Sequence, residues 1–209
     1  MTSKTSNFTS GLSMKGPAVK FLLRFLVIFG LLIAPWPGLN QAYSQYFQSL
    51  GQLVFNPTGE TKRMVVFSPA SGQIPGMDTR LTLENAELAD ASGRGLVKST
   101  EIDARSIGWV PTALTIALIL ATPIPWTRRL VALAGGIFLI HLFIFFSLQA
   151  WIWNNSPDLS LLTLSKFEQR VVGELNYALM NQLGISFTVP VVIWTLVTFR
   201  RQDQDALVT

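Results

Sequence analysis

Residues 107–153 decide the fold of this chain. They read IGWVPTALTIALILATPIPW (107–126), TRR (127–129) and LVALAGGIFLIHLFIFFSLQAWIW (130–153). The first run carries no charged residue, and the second carries no Asp, Glu, Lys or Arg, so His141 is its one ionisable side chain. A helix needs about 20 mostly apolar residues to cross about 30 Å of hydrocarbon. Both runs are therefore predicted to span a membrane, joined by a tight turn at 127–129.

Two further apolar stretches flank this pair. Residues 19–37 carry Lys20 and Arg24 near their start, where long basic side chains can extend back to the membrane surface. A cleaved signal peptide is the alternative for this stretch, but no A-x-A-like site follows Ala34, which favours an uncleaved anchor. Residues 175–199 are uncharged, with polar first turns. The predicted fold class is a mainly α integral membrane protein with four transmembrane helices.

The composition agrees with this class and excludes several functions. The chain of 209 residues is 49% hydrophobic and 13% charged, with a mean hydropathy of +0.40. It has no Cys and one His, which excludes disulfides, thiolate chemistry and most histidine metal clusters. The net charge of +4 forms no basic cluster on a soluble face, so nucleic acid is not an expected partner. No catalytic motif occurs, and we expect no enzyme activity, cofactor or metal.

The distribution of basic residues predicts the topology, because positively charged loops are retained in the cytoplasm. A cytoplasmic N-terminus places half of the sixteen Lys and Arg residues inside, on a much shorter length of chain than the outer half occupies. We therefore expect a multi-pass protein of the bacterial inner membrane with both termini cytoplasmic. The predicted segments are a cytoplasmic tail (1–18), span 1 (19–37), an extracytoplasmic domain (38–106), span 2 (107–126), a cytoplasmic turn (127–129), span 3 (130–153), an extracytoplasmic loop with an amphipathic helix (154–174), span 4 (175–199) and a cytoplasmic tail (200–209).

The extracytoplasmic domain is predicted to be a small α+β insertion between spans 1 and 2. It begins with an amphipathic helix whose apolar residues recur at helical spacing, namely Leu39, Tyr43, Tyr46/Phe47, Leu50 and Leu53/Val54. This helix is expected to cover a small sheet rather than lie along the membrane. Strands are predicted at 62–67, 79–83 and 96–102. Three short strands form a marginal core alone, so the unit should lean on the membrane helices or on a partner.

The second extracytoplasmic loop is predicted to form a helix from Ser156, which would serve as N-cap, with Pro157 at the first helical position. Within span 3, Gly135 and Gly136 should let another helix approach closely. His141 is either a neutral side chain hydrogen-bonded across helices or part of a proton relay. The first interpretation is favoured, because no other span carries an ionisable partner in its interior.

The candidate partner-interaction residues are Asp78, Arg80, Arg105 and Trp109. Arg80 lies within a predicted strand and Arg105 at the mouth of span 2, where guanidinium groups can clamp carboxylates, carbonyls or lipid phosphates. The alternative is ordinary anchoring at the membrane interface.

Three motifs carry a family resemblance: DTRLTL (78–83), IGWVP (107–111) and LATPIPWTRR (120–129). Over residues 78–148 the chain resembles the exosortase-associated integral membrane proteins, of the exosortase H-associated type, which accompany the transpeptidase-like exosortases of Gram-negative bacteria. The resemblance implies an accessory role in protein sorting or surface attachment. Exosortases use a Cys nucleophile with Arg and His, so this Cys-free chain is not itself the sorting enzyme.

Two functional hypotheses follow. The first is a non-enzymatic accessory protein that presents its outer domain to an integral membrane partner within the lipid bilayer; the resemblance implies that this partner is an exosortase. The second is a helix-contributing subunit of a transport or energy-converting complex, which would need polar residues inside the spans.

Overall fold

Helices dominate the computed structural model, which describes residues 16–56, 63–72, 74–88, 95–181 and 183–199. The described helices are α1 (Pro17–Ile33), α2 (Leu39–Phe55), α3 (Val110–Ala121), α4 (Trp126–Asn155), α5 (Lys166–Asn181) and α6 (Leu183–Thr198). The strands are β1 (Arg63–Pro69), β2 (Thr79–Asn85) and β3 (Leu96–Ile102). A π-helical turn at Arg105–Trp109 leads into α3, and a 3₁₀ turn at Pro157–Leu159 follows α4. The coarse prediction of a mainly helical chain with a small sheet is confirmed.

Helix α3 lies at the centre of the helical part and packs against α1, α4 and α6. Nine of its 12 residues are buried. The approach of α4 depends on small residues: a Cβ built at Gly136 would lie 2.6 Å from Ile119 Cδ1 and 3.2 Å from Thr115 Cγ2. Gly135 faces Val197 of α6 instead. The predicted close approach at the glycine pair is thus confirmed.

One helix of the described ranges, α4, is long and apolar enough to cross a membrane unaided. Lys166–Leu179 and Gly184–Thr198 meet that standard only together, and they are bent by 81° relative to each other. The stretch Arg105–Ala121 is apolar but shorter. Helix α1, with 17 residues, is shorter as well.

The sheet is antiparallel in the order β1-β2-β3. Alternate residues of β2 are buried, as predicted from its apolar and polar alternation, and Leu81 and Leu83 are completely inaccessible. Leu81 joins a core cluster that continues from the sheet through Phe47 of α2 to Ile144 and Leu148 of α4. The sheet therefore shares its core with the long helix, which confirms that it leans on the helical part of the chain.

Two predictions of local structure need correction. The turn between α3 and α4 lies at 122–125 rather than 127–129, because the Pro123 and Pro125 rings end α3 and the arginine pair already belongs to α4. Ser156 is the N-cap and Pro157 the first residue of a 3₁₀ turn, as predicted, but this turn ends at Leu159 instead of continuing as a long helix. The next long helix starts at Lys166, where Ser165 and Glu168 form reciprocal hydrogen bonds of 2.8 and 3.3 Å in a capping box.

The buried face of α2 also differs from the prediction. Ser44, Phe47 and Gly51 are buried, whereas Leu53 is 67% exposed. The reason is the Phe67 ring of β1, which covers Gly51: a Cβ there would lie 2.7 Å from Phe67 Cε1. Helix α2 does cover the sheet, as expected, but through a stripe of small residues beside Phe47.

Candidate functional site at the junction of sheet and helices

The link between β3 and α3 is the point where the sheet joins the helical part. Asp78 Oδ1 accepts a hydrogen bond of 3.0 Å from the Ala104 N–H. Asp103 accepts one of 2.9 Å from the Arg105 N–H and another from the Ser106 hydroxyl. The first N–H groups of a helical segment have no partner within it, so these two carboxylates fix where the turn before α3 begins.

Arg105 and Trp109 connect this turn to the end of α1. The Arg105 guanidinium donates to the Ile33 carbonyl, and Trp109 Nε1 donates to the Leu32 carbonyl at 2.9 Å. Carbonyl groups in the last turn of a helix have no N–H donor within the helix, and these two side chains supply the donors. The end of α1 is thereby held against the start of α3.

Tyr43 of α2 packs against the same turn. Its ring lies 5.5 Å from the Trp109 ring, and Gly108 leaves space for its hydroxyl, which an added Cβ would overlap. Burial raises the pKa of the Tyr43 phenol, so this group stays neutral. Helices α1, α2 and α3 therefore all contact this turn, which connects them to the sheet.

Arg80 and Glu101 form an ion pair between the two neighbouring strands. They lie opposite each other in the β2–β3 register, and Arg80 Nη2 donates to Glu101 Oε1 at 2.9 Å. Oε1 also accepts hydrogen bonds from the Ser71 hydroxyl and from the Ser71 N–H, the latter at 3.0 Å. The Ser71 hydroxyl, the Ser71 N–H and Arg80 lower the pKa of Glu101 to about 2.

All four sequence-predicted residues thus lie around this junction, and each makes a contact within the chain. Asp78 stabilises the turn, Arg105 and Trp109 hold the end of α1, and Arg80 pairs with Glu101. Their role in binding a partner stays a prediction, with the addition that a partner would meet side chains that are already oriented.

A pocket of about 490 Å³ opens beside these residues, between β3, the link to α3, α4 and α5. Its polar lining comes from Thr100, Glu101, Asp103, Ser106 and Asn176. Its apolar lining comes from Met77, Ile102, Ile107 and Trp151. The sequence did not reveal this pocket, because Glu101 and Asn176 are 75 positions apart and no local motif connects them.

Two oxygen atoms of the pocket lining are buried without a hydrogen-bond partner in the described residues. They are Glu101 Oε2 and Asn176 Oδ1. The Glu101 side chain is only 10% exposed, so its second oxygen is withdrawn from bulk water. Buried acceptors without donors are unfavourable and uncommon in native structures. The pocket is therefore suited to a group that donates hydrogen bonds.

In the described part of the chain, no group of three or more His, Cys, Asp or Glu side chains is placed so that it could hold a metal ion.

His141 lies outside this junction and contacts α2. Its Nδ1 donates to the Ile137 carbonyl at 2.8 Å, which in the neutral ring leaves Nε2 to accept a hydrogen bond of 3.3 Å from the Tyr46 hydroxyl. The predicted hydrogen bond between helices is present, with both ring nitrogens engaged.

No protein-family model, no curated protein and no solved structure matches this chain. The resemblance to the exosortase-associated proteins stays a prediction that rests on the three quoted motifs.

Proposed function

We propose that this chain is a non-enzymatic accessory protein of the bacterial inner membrane, crossing it four times through α1, α3 with its preceding turn, α4 and α6. One observation carries the proposal: the helices around α3 expose large apolar side chains. Those exposed by half or more of their surface include Leu22, Leu23, Leu26, Val27 and Leu31 of α1, Leu130, Val131, Phe138 and Leu142 of α4, and Leu196 of α6.

Water is an unsuitable solvent for such a surface. Soluble monomers rarely expose contiguous apolar patches larger than a few hundred Å². A buried helix of a soluble protein would be covered by its neighbours, but only 28% of the most apolar window of α4 is buried. Lipid would cover these faces, while the buried α3 would sit in the middle of the bundle.

The lengths of the helices suit a membrane when it adapts locally. The 17 residues of α1 and the 16 of α6 extend about 25 Å, somewhat less than the roughly 30 Å hydrocarbon layer. Short spans are accommodated by local thinning of the bilayer and by flanking side chains that reach the interface. Arg128 and Arg129, in the first turn of α4, favour a cytoplasmic start for that helix and cytoplasmic termini.

We further propose that the junction of sheet and helices engages an integral membrane partner, with exosortase-linked protein sorting as the process that the resemblance implies. The accessory hypothesis is favoured over the transport hypothesis by His141, whose ring nitrogens are both bonded to neighbouring groups. A proton relay would need a second readily ionisable group such as Asp, Glu or His at the same depth, whereas the described partners of His141 are a phenol and a backbone carbonyl.

Partner recovery from cross-linked native membranes tests the accessory role. Arg80→Ala and Arg105→Ala should reduce recovery at matched abundance, and the corresponding Lys variants should not restore it, because Lys keeps the charge but loses the planar fork. Lys98→Ala is the matched control, since Lys98 is a 42% exposed base on the same sheet. Full recovery of the partner with both Arg→Ala variants would show that these residues have only a structural role.

A further inference from the structure

We propose that the pocket between β3, α4 and α5 binds a lysine side chain of the partner protein. The identity of the occupant as a protein rests on the proposed function, whereas the preference for an ammonium group rests on the pocket alone.

The lining of the pocket offers hydrogen-bond acceptors that an ammonium group can use. Glu101 of β3 and Asn176 of α5 both line the pocket, and each carries one buried oxygen, Oε2 and Oδ1, that has no hydrogen-bond donor among the described residues. An ammonium group carries three donors and no acceptor, so one such group can serve acceptors on two walls at once. The planar fork of arginine is better matched to a single carboxylate.

The charges around the pocket also favour a cation. Glu101 and Asp103 both line the pocket, while the neighbouring Arg80 is already bound to Glu101 Oε1 at 2.9 Å. The described hydrogen bonds to Asp103 come from the Arg105 N–H and the Ser106 hydroxyl, which are uncharged groups. Carboxylates therefore exceed cations in this lining, and a positively charged occupant would restore the balance. An inorganic divalent ion would need more oxygen ligands than two carboxylates supply.

The apolar part of the pocket lining also favours lysine. Ile102, Ile107 and Trp151 form apolar walls, which suit the alkyl stem that carries a lysine ammonium group, and an indole ring attracts cations. A phosphatidylethanolamine headgroup also carries an ammonium group, but its phosphate would lie beside the same carboxylates. Lysine brings the cation and the apolar stem without an anion.

A substitution within the chain tests the preference directly. Asn176→Lys places an ammonium group in the pocket, and Asn176→Met provides a stem without the charge. In the detergent-solubilised full chain, we expect the Lys variant to melt about 2 to 4 °C above the Met variant. A Lys variant that melts at or below the temperature of the Met variant would overturn the proposal.

A soluble probe keeps the test valid if both variants fail to fold. Nα-acetyl-lysine methylamide should raise the Tm of the unaltered chain in a saturable way, and its Nε-acetylated analogue should not. Glu101→Gln should abolish the shift. Equal effects of the two probes would overturn the proposal.

A lipid arm identifies the source of the ammonium group. The unaltered chain should be equally stable in phosphatidylethanolamine and phosphatidylcholine vesicles. Higher stability in phosphatidylethanolamine that disappears in Asn176→Lys would assign the pocket to lipid and overturn the proposal. These measurements need no partner, so their failure is distinguishable from a failure of partner recovery, which tests the proposed function.

Discussion

The packing of α3 against α4 can be tested by substitutions at two adjacent glycines of α4. A Cβ at Gly136 would lie 2.6 Å from Ile119 Cδ1 and 3.2 Å from Thr115 Cγ2. Both neighbours are fully buried and β-branched, so neither side chain has room to turn away. A Cβ at Gly135 would lie 3.6 Å from Val197 Cγ1, which is ordinary van der Waals contact.

The expected magnitudes follow from two opposing terms. Replacing Gly by Ala inside a helix stabilises it by about 1 kcal/mol, because the unfolded chain loses conformational freedom. Overpacking a well-filled core costs about 1 to 3 kcal/mol. Gly135→Ala should therefore be neutral or stabilising, and Gly136→Ala should be destabilising by up to about 2 kcal/mol. The two variants should differ by about 1 to 3 kcal/mol.

Reversible unfolding in detergent micelles, followed by helical circular dichroism, measures this difference. Gly135→Ala is the control for Gly136→Ala, because both variants make the same substitution at neighbouring positions of one helix. Gly136→Val should increase the loss, since two further methyl groups must find space. Equal stabilities for Gly135→Ala and Gly136→Ala would show that α3 and α4 do not pack through Gly136, and the arrangement of the bundle would be wrong.

Two further predictions concern single side chains. His141→Ala should leave partner recovery unchanged and cost about 1 kcal/mol or less, because the half-exposed Tyr46 hydroxyl can find another partner; lost recovery at normal abundance would favour the transport hypothesis. The pKa of Glu101, lowered from 4.5 to about 2 chiefly by the Ser71 hydroxyl, means that its carboxylate stabilises the folded state above about pH 4.5. Stability should therefore fall as the pH drops from 4.5 towards 2, as measured by thermal unfolding, and Ser71→Ala should weaken this dependence; identical profiles would contradict the assigned cause.

Local periodicity predicted several elements well. The alternation of β2 was correct because one face of a half-buried strand must be apolar at every second residue. The strand at 96–102 was also correct, although its burial does not alternate. The glycine pair of α4 was correct because residues without side chains have few uses inside an apolar helix other than close packing. These signals need only neighbouring residues.

Other features depended on contacts between distant residues or on competing local signals. The buried face of α2 followed from Phe67, which lies on a strand rather than in the helix. Ser156 does serve as an N-cap, but the helix it starts is a single 3₁₀ turn, which ends where Ser160 takes a left-handed backbone conformation. The start of α5 could have been found from Ser165 and Glu168, which have the spacing of a capping box.

The sequence predicted which residues form the candidate site but not the contacts that they make within the chain. Asp78, Arg80, Arg105 and Trp109 do lie together, because the link between β3 and α3 brings the sheet to the helices. Their contacts within the chain could not be predicted, since each involves a group at least 21 positions away in the sequence. The pocket depends on Asn176 in the same way.

Labelling of single cysteines tests the central claim, a four-span bundle with the sheet outside and both termini inside. The chain has no Cys, so each introduced thiol reports alone. In spheroplasts, an impermeant thiol reagent should modify Ser99→Cys on β3 and Thr163→Cys before α5, which replace exposed residues. Thr127→Cys should react only after the membrane is permeabilised. Labelling of Thr127→Cys in sealed spheroplasts, or protection of either of the other two, would contradict the proposed topology.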